Sequence, residues 1–294
     1  MIDEAQRIEN IGLKLKIIQD AYGKEIQIIA TGSSSFDLAN KINEPLTGRK
    51  WEYQMFPISF KVMVAQNGLI SERGNLLNRM MYGYYPDIVT HPETAKDRLL
   101  QLVEDNLYKD ILSFDGVQKS AKITDLLQAL AFQIGSQVGI NKLANTVGLD
   151  NKTIDKYLSL LEKSYIIFRL PSYSCNLQNE LKTSNKYYFY DLSVRNAVIG
   201  DFRPINMRQD TGNIFENFII AEIQKTVKKR RQYFWRTKQG QEIDYVYEVN
   251  GDLIAVKIKW SEKRNPRLPQ RFIEEYNPSQ VIHVNRDNFY ELFI

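Results

Sequence analysis

Asp3 and Glu4, an acidic pair directly after Met1-Ile2, have the clearest chemical potential in the chain. Two carboxylates at the carboxyl end of an apolar run suit magnesium-assisted phosphoryl chemistry. The first holds the ion, and the second orients or deprotonates the attacking water. That chemistry also needs backbone N–H groups and a lysine around the phosphates, normally supplied by Gly-x-x-x-x-Gly-Lys-Ser/Thr. No such segment occurs in the 294 residues. The Gly23-Lys24 pair has Ile18 where the first glycine belongs and Glu25 where the hydroxyl belongs. The expectation is the second half of a nucleotide site without the first.

The elements that must position this pair follow at once. Ile8, Ile11, Leu15 and Ile18 have helical spacing, which predicts a helix over Ile8–Tyr22 stopped by Gly23. Gln27–Thr31 reads as a buried strand ending in Gly32-Ser33-Ser34-Ser35, small hydroxyl residues where open α/β sheets bind ligands. Lys50–Met55 reads as strand-like.

Composition sets the frame. A length of 294 residues predicts two or three domains, and 43% hydrophobic with 25% charged residues is that of ordinary globular protein. No apolar run approaches the roughly 20 residues that span a bilayer. The N-terminus carries acids where an export signal would carry positive charge. A lone cysteine, Cys175, suits a reducing compartment, so the cytoplasm is expected. His91 and His283 are far apart in sequence and have no cysteine beside them, which argues against zinc. Net charge is +4, yet Lys225–Lys238 holds seven basic residues and no acid. Such a run is either a solvated helix end or a contact for DNA.

Several segments in order carry a family resemblance: Asp3-Glu4-Ala5-Gln6, Thr31-Gly32-Ser33-Ser34, Leu46-Thr47-Gly48-Arg49, Pro57-Ile58-Ser59-Phe60, Gly83-Tyr84-Tyr85-Pro86 and Leu107-Tyr108-Lys109-Asp110-Ile111. Together they resemble the bacterial and archaeal AAA+-like ATPases whose C-terminal half is a domain of unknown function containing a winged helix and a nuclease-like module. The resemblance covers essentially the whole chain. It implies ATP and Mg2+ as cofactors, with Asp3 a magnesium ligand through water and Glu4 the catalytic carboxylate. Ser33 or Ser34 would sense the γ-phosphate. Arg49 would stabilise charge, within the chain or across a subunit boundary in a homo-oligomer. Taken singly, the acidic pair also suits a helix N-terminus and Thr-Gly-Ser-Ser a turn.

The resemblance further implies a multidomain α/β chain. Its parts are a remnant of the P-loop AAA+ parallel sheet (1–60), a helical lid (61–122), a winged helix-turn-helix (123–205) and a restriction-endonuclease-like α/β module of the PD-(D/E)xK type (206–294). The family sheet has strand order 5-1-4-3-2, and strands 1 and 2 with the phosphate loop have no counterpart here, as in a version truncated at the Walker B strand. Three lost charge-assisted hydrogen bonds at roughly 1.5–3 kcal/mol each would weaken ATP binding about 10³-fold or more. No useful ATPase activity is expected from this chain alone.

Residues Phe60–Gly116 read as mostly helical, with a turn at Gly83–Pro86 and an amphipathic stretch at Ala95–Leu112. Helices follow at Asp125–Ile134, with Thr124 as N-cap, at Ile140–Val147, closed by Gly148, and at Lys152–Lys163. Strands at Ser164–Leu170 and Tyr187–Tyr190, the latter half-buried, complete a winged helix-turn-helix. Its exposed face would carry Asn151, Lys152, Thr153, Asp155 and Lys156, a poor reader of base edges and better suited to packing. In the tail, a helix over Asn213–Lys229 precedes strands at Gln232–Arg236, Glu242–Glu248 and Leu253–Trp260. A helix at Pro269–Tyr276 and a strand at Gln280–Val284 close the unit. Here the nuclease resemblance places acids at Glu216 and Asp244 and the lysine at Lys259. Lys257 stands where a second carboxylate belongs. An ammonium there repels a metal ion by about 4 kcal/mol per unit charge at ~4 Å and an effective dielectric near ~20. An inactive nuclease-like module is expected, still able to touch DNA through the basic run with Lys257 and Lys259.

Overall fold

Short-range signals decide the helices, and the pairing of distant segments decides the sheets. The computed structural model describes residues 1–23, 25–32, 50–104, 120–173, 185–226, 231–261 and 268–294. Near the N-terminus, Ala5, Ile11 and Leu15 form a small core closed by Ile2, Ile8, Ile28 and Ala30. Helix α1 (Ile11–Tyr22) supplies two of these and ends at Gly23, as its spacing predicts. It starts three residues later than expected, because a 3-10 turn takes Ala5–Arg7 and Asn10 sits in the left-handed region at φ 52°.

Two predicted strands are corrected. Gln27–Thr31 is not a buried strand: it makes one parallel bridge, Ile2 to Ala30, and Ile29 is 52% exposed. A parallel strand is buried when neighbours and helices cover it, and the described residues give this one a single partner. Lys50–Met55 is not a strand either, and Trp51, Tyr53 and Met55 point to solvent at 89%, 82% and 91% exposure. Alternation provides a face, but a strand needs a partner for its backbone groups.

From Phe60 the chain runs through α2 (Phe60–Asn67), α3 (Leu69–Gly74), α4 (Leu76–Tyr82), α5 (Pro86–Thr90) and α6 (Ala95–Leu102). Ser59 caps α2 by accepting the Val62 N–H at 3.3 Å. Pro86 opens α5, where its missing N–H costs nothing. The rest of the Ala95–Leu112 stretch beyond 104, with Leu107–Ile111, lies outside the described residues, as does Cys175.

Next come α7 (Ser120–Phe132), β1 (Gln137–Val138), α8 (Ile140–Val147), α9 (Asn151–Lys163), β2 (Ile167–Leu170) and β3 (Asn185–Phe189). Thr124 lies inside α7 and does not cap it, a third correction: the helix begins a turn earlier, at Ser120. Gly148, at φ 72°, ends α8 as predicted, and Asp150 caps α9 through the Thr153 N–H at 3.0 Å. The strands form an antiparallel sheet in the order β1-β3-β2. The aromatics of β3 were expected half-buried, yet Tyr187, Tyr188 and Phe189 are all covered because both faces of the strand pack inward.

The tail contains α10 (Leu192–Val198), α11 (Thr211–Thr226), β4 (Gln232–Arg236), β5 (Glu242–Val249), β6 (Asp252–Ile258), α12 (Gln270–Tyr276) and β7 (Gln280–Val284). The second sheet runs β4-β5-β6-β7, antiparallel except for the parallel β6/β7 pair. Asn250 and Gly251, both at positive φ, make the tight β5/β6 turn expected of this dipeptide. The largest apolar core is continuous from Phe60 to Phe293, and a smaller one under α12 gathers Tyr233, Trp235 and Phe272. Among the described residues, no helix is long and apolar enough to cross a membrane.

Candidate functional site

Two centres bring chemistry-bearing residues together. The first is the Asp3 carboxylate. Its backbone neighbours tie the first residues to the 29–31 segment: Ile2 N–H donates to Ile29 O at 2.8 Å, Thr31 N–H to Ile2 O at 2.9 Å, and Ala5 N–H to Thr31 O at 2.9 Å. This short parallel pairing sets Asp3, itself exposed, beside Thr31, whose hydroxyl donates to Asp3 Oδ1. Glu4 follows in the left-handed region at φ 49°, with its carboxylate 3.4 Å from Arg7 Nε. A carboxylate and a hydroxyl at the carboxyl ends of paired parallel segments are hard oxygen donors that fit Mg2+. Ser33, Ser34 and Arg49 lie outside the described residues. Thr31 was missed as a partner of Asp3. Its sequence signal is the hydroxyl residue that closes the apolar run Ile28-Ile29-Ala30.

The second centre is buried between β3, α11, β5 and β6. Asp244 on β5 is 2% exposed, and both its oxygens are taken: Lys257 Nζ donates to Oδ1 at 2.8 Å and the Ile258 N–H to Oδ2 at 2.7 Å. Lys257 also donates to Glu242 O at 2.9 Å. Glu216 on α11 accepts from Lys186 Nζ at 3.0 Å and from the Tyr188 hydroxyl at 2.6 Å. Lys186, 1% exposed, also lies 2.5 Å from Glu242 Oε1. Burial pushes the Glu216 carboxyl above its ordinary range; Lys186 opposes this and the negative charge of Asp244 adds to it. Burial works against the Lys186 charge, but Glu216 and Glu242 outweigh it and hold the ammonium above the ordinary lysine value. The Tyr188 hydroxyl is pushed well up by burial, then by Glu216.

The structure therefore brings Glu216, Asp244 and Lys257 together and leaves Lys259 out. The Lys259 side chain is exposed past the end of β6, where its N–H donates to Val284 O at 2.9 Å. This donor set does not fit a divalent ion, because ammonium groups already sit on the carboxylates. Among the described residues, no group of three or more His, Cys, Asp or Glu side chains is placed to share a metal. Lys186, Tyr188 and Glu242 were missed. The readable hint was a lysine directly before the aromatic run Tyr187-Tyr188-Phe189-Tyr190. In the basic run, Lys225 is turned inward, 2.7 Å from Glu222 and 3% exposed, whereas Arg231, Arg236 and Lys238 are exposed.

Comparison with known proteins agrees with two ends of different kind. Residues 1–64 match the model of an AAA domain, 73–204 a domain of unknown function (DUF8612) and 211–292 another (DUF4143). An uncharacterized protein of Haemophilus influenzae is 26% identical over 308 residues, covering 100% of this chain and 71% of its own length. An uncharacterized protein of Methanocaldococcus jannaschii is 22% identical over 303 residues, covering 96% of this chain and 66% of its own. One of Mycobacterium tuberculosis is 22% identical over 260 residues, covering 88% and 58%. The chain thus spans between 58% and 71% of the length of these relatives. No solved structure matches. The chain carries an AAA-like, ATPase-related segment at its N-terminal end and a DUF4143 domain at its C-terminal end.

Proposed function

We propose that these residues are the magnesium- and water-handling part of an AAA-like ATP site, carried on a winged helix and a catalytically silent nuclease-like module. The observation that supports this reading is Asp3 beside the Thr31 hydroxyl at the carboxyl ends of a parallel pairing. Asp3, with Thr31 fixing its carboxylate, would hold Mg2+, which spreads the negative charge of the phosphates. Glu4 would orient the water once released from Arg7. Ser33 or Ser34 and Arg49 keep the roles that the resemblance implies. Because the 294 residues have no Gly-x-x-x-x-Gly-Lys-Ser/Thr, the chain does not turn over ATP by itself.

The test is hydrolysis of radiolabelled ATP by the purified chain, alone and with a phosphate-loop segment supplied by fusion. Turnover is expected only in the fusion and is lost in its Asp3→Ala variant. Ordinary turnover by the chain alone, or an active Asp3→Ala fusion, would refute the assignment.

A second reading is a non-catalytic DNA-binding or scaffold role for the remainder, less so an active Mg-dependent nuclease. The order α7, β1, α8, α9, β2, β3 with β1 pairing β3 supports a winged helix. The ammonium groups on Asp244 and Glu216 support a silent nuclease-like centre. DNA would meet Arg231, Arg236 and Lys238 and not the inward Lys225. A binding series in rising salt tests it: a steep loss of affinity marks phosphate contact, and a flat response removes DNA from the reading.

A further inference from the structure

The residues matched as 73–204 and those matched as 211–292 meet along a seam with an unusual chemistry. Lys186 belongs to the first stretch, and both carboxylates it touches, Glu216 and Glu242, belong to the second. Its ammonium also lies 5.4 Å from the Phe234 ring centroid, on the same side of the seam as those carboxylates. Tyr188, two residues on, reaches the same Glu216 oxygen. Asn217, the neighbour of Glu216, takes the place of a strand edge for Phe189, accepting its N–H at 2.8 Å and donating to its O at 2.9 Å. Beyond β2 the backbone itself crosses. Phe234 N–H donates to Pro171 O at 3.0 Å and Tyr173 N–H to Phe234 O at 2.6 Å, so a parallel bridge at Ser172 joins the two sheets.

Interfaces between domains of one chain are ordinarily polar, modest in size and free to move. A lysine withdrawn from water is stable only with its counter-charges in place, and those carboxylates only with a cation. We infer that Lys186 is a counter-cation delivered across the seam: it fills the place a bound divalent ion would take among the C-terminal carboxylates and makes residues 73–204 and 211–292 one folding unit. The inference stands apart from the ATP-site reading, and it holds for the acidic centre whether or not the nuclease-like reading survives. Its consequence is that the C-terminal stretch is neither metal-dependent for its fold nor a detachable module. Each half loses its counter-charges when the other is removed.

The experiment uses the full chain. Calorimetry should show 73–204 and 211–292 melting in one transition, unmoved by magnesium or by EDTA. Lys186→Met should lower that transition by about 10 °C. Hydrogen exchange should then rise together in 137–189 and in 232–258. Lys186→Met with Glu216→Gln should recover most of the loss, since Glu242 keeps Arg236 at 3.7 Å and Glu216 is no longer charged. Stabilisation of this transition by magnesium in the Asp3→Ala chain, in which the N-terminal carboxylate is gone, would overturn the inference. So would separate melting of the two stretches, or exchange rising on one side only. If Lys186→Met does not fold, the calorimetry and native-state exchange of the unsubstituted chain still decide the matter.

Discussion

Replacing Lys257 by methionine isolates what an ammonium does inside the acidic centre. The side chains of Lys257 and Asp244 are 10% and 3% exposed, with 2.8 Å between Nζ and Oδ1. Methionine fills most of the lysine stem's volume, so the change removes charge more than packing. What remains is a buried carboxylate with one oxygen bonded to the Ile258 N–H and the other without a donor. Breaking one side of a buried pair costs about 3–5 kcal/mol, most of it the isolated charge left behind. Asp244→Asn should cost less, roughly 1.5–3 kcal/mol, because Glu242 O still accepts from Lys257. The double variant Lys257→Met/Asp244→Asn leaves no isolated charge, so its cost should fall well below the sum of the two. Urea unfolding at neutral pH, read as a change of midpoint at constant slope, measures all three. A Lys257→Met cost under about 1 kcal/mol, or simple additivity, would mean that water reaches the pair and that the centre is not sealed.

Two other expectations follow from local geometry. Gly83 sits at φ 70°, and a Cβ there would fall 1.7 Å from Asp191 Oδ1, the carboxylate that also binds the Tyr84 and Ser193 N–H groups. Gly83→Ala should therefore cost about 3 kcal/mol or more, since ψ -155° also puts Gly83 outside the left-handed helical region, against about 1 kcal/mol for Gly148→Ala, which lies in that region at φ 72° and ψ 46° and whose Cβ would meet only Lys122 Nζ at 4.0 Å; thermal melts compare them. Asp201 is held down to about 2, mainly by the Arg203 side chain. Its folded value lies below the unfolded 3.8, so its contribution is complete above that value and is lost as pH falls toward 2. Glu216 and Glu222, raised by burial, have the opposite sign, their effect on stability falling as pH rises through their folded values. Melting curves of Asp201→Asn and the unsubstituted chain should converge between about pH 4 and pH 2; a constant gap would refute the assignment.

Helices α8 and α9 and the hairpin at Asn250-Gly251 were legible because their causes are local. Apolar spacing, a capping Asp150, a left-handed Gly148 and a turn dipeptide all act within a few residues. The bounds of β4 and β7 also match the sequence reading to the residue. Gln27–Thr31 and Lys50–Met55 were misread because strand formation depends on a partner that their own residues do not contain. The acidic pair at Asp3 and Glu4, the lack of a Gly-x-x-x-x-Gly-Lys-Ser/Thr segment within these 294 residues and the lysine at position 257 were legible in the sequence alone, since each is a matter of residue type and spacing. Only the tertiary structure decided that Thr31 holds Asp3 and that Lys186, from another stretch of the chain, neutralises Glu216 and Glu242. A charge buried at a seam is specified by what faces it, and which residues face each other is set by the packing of the whole chain.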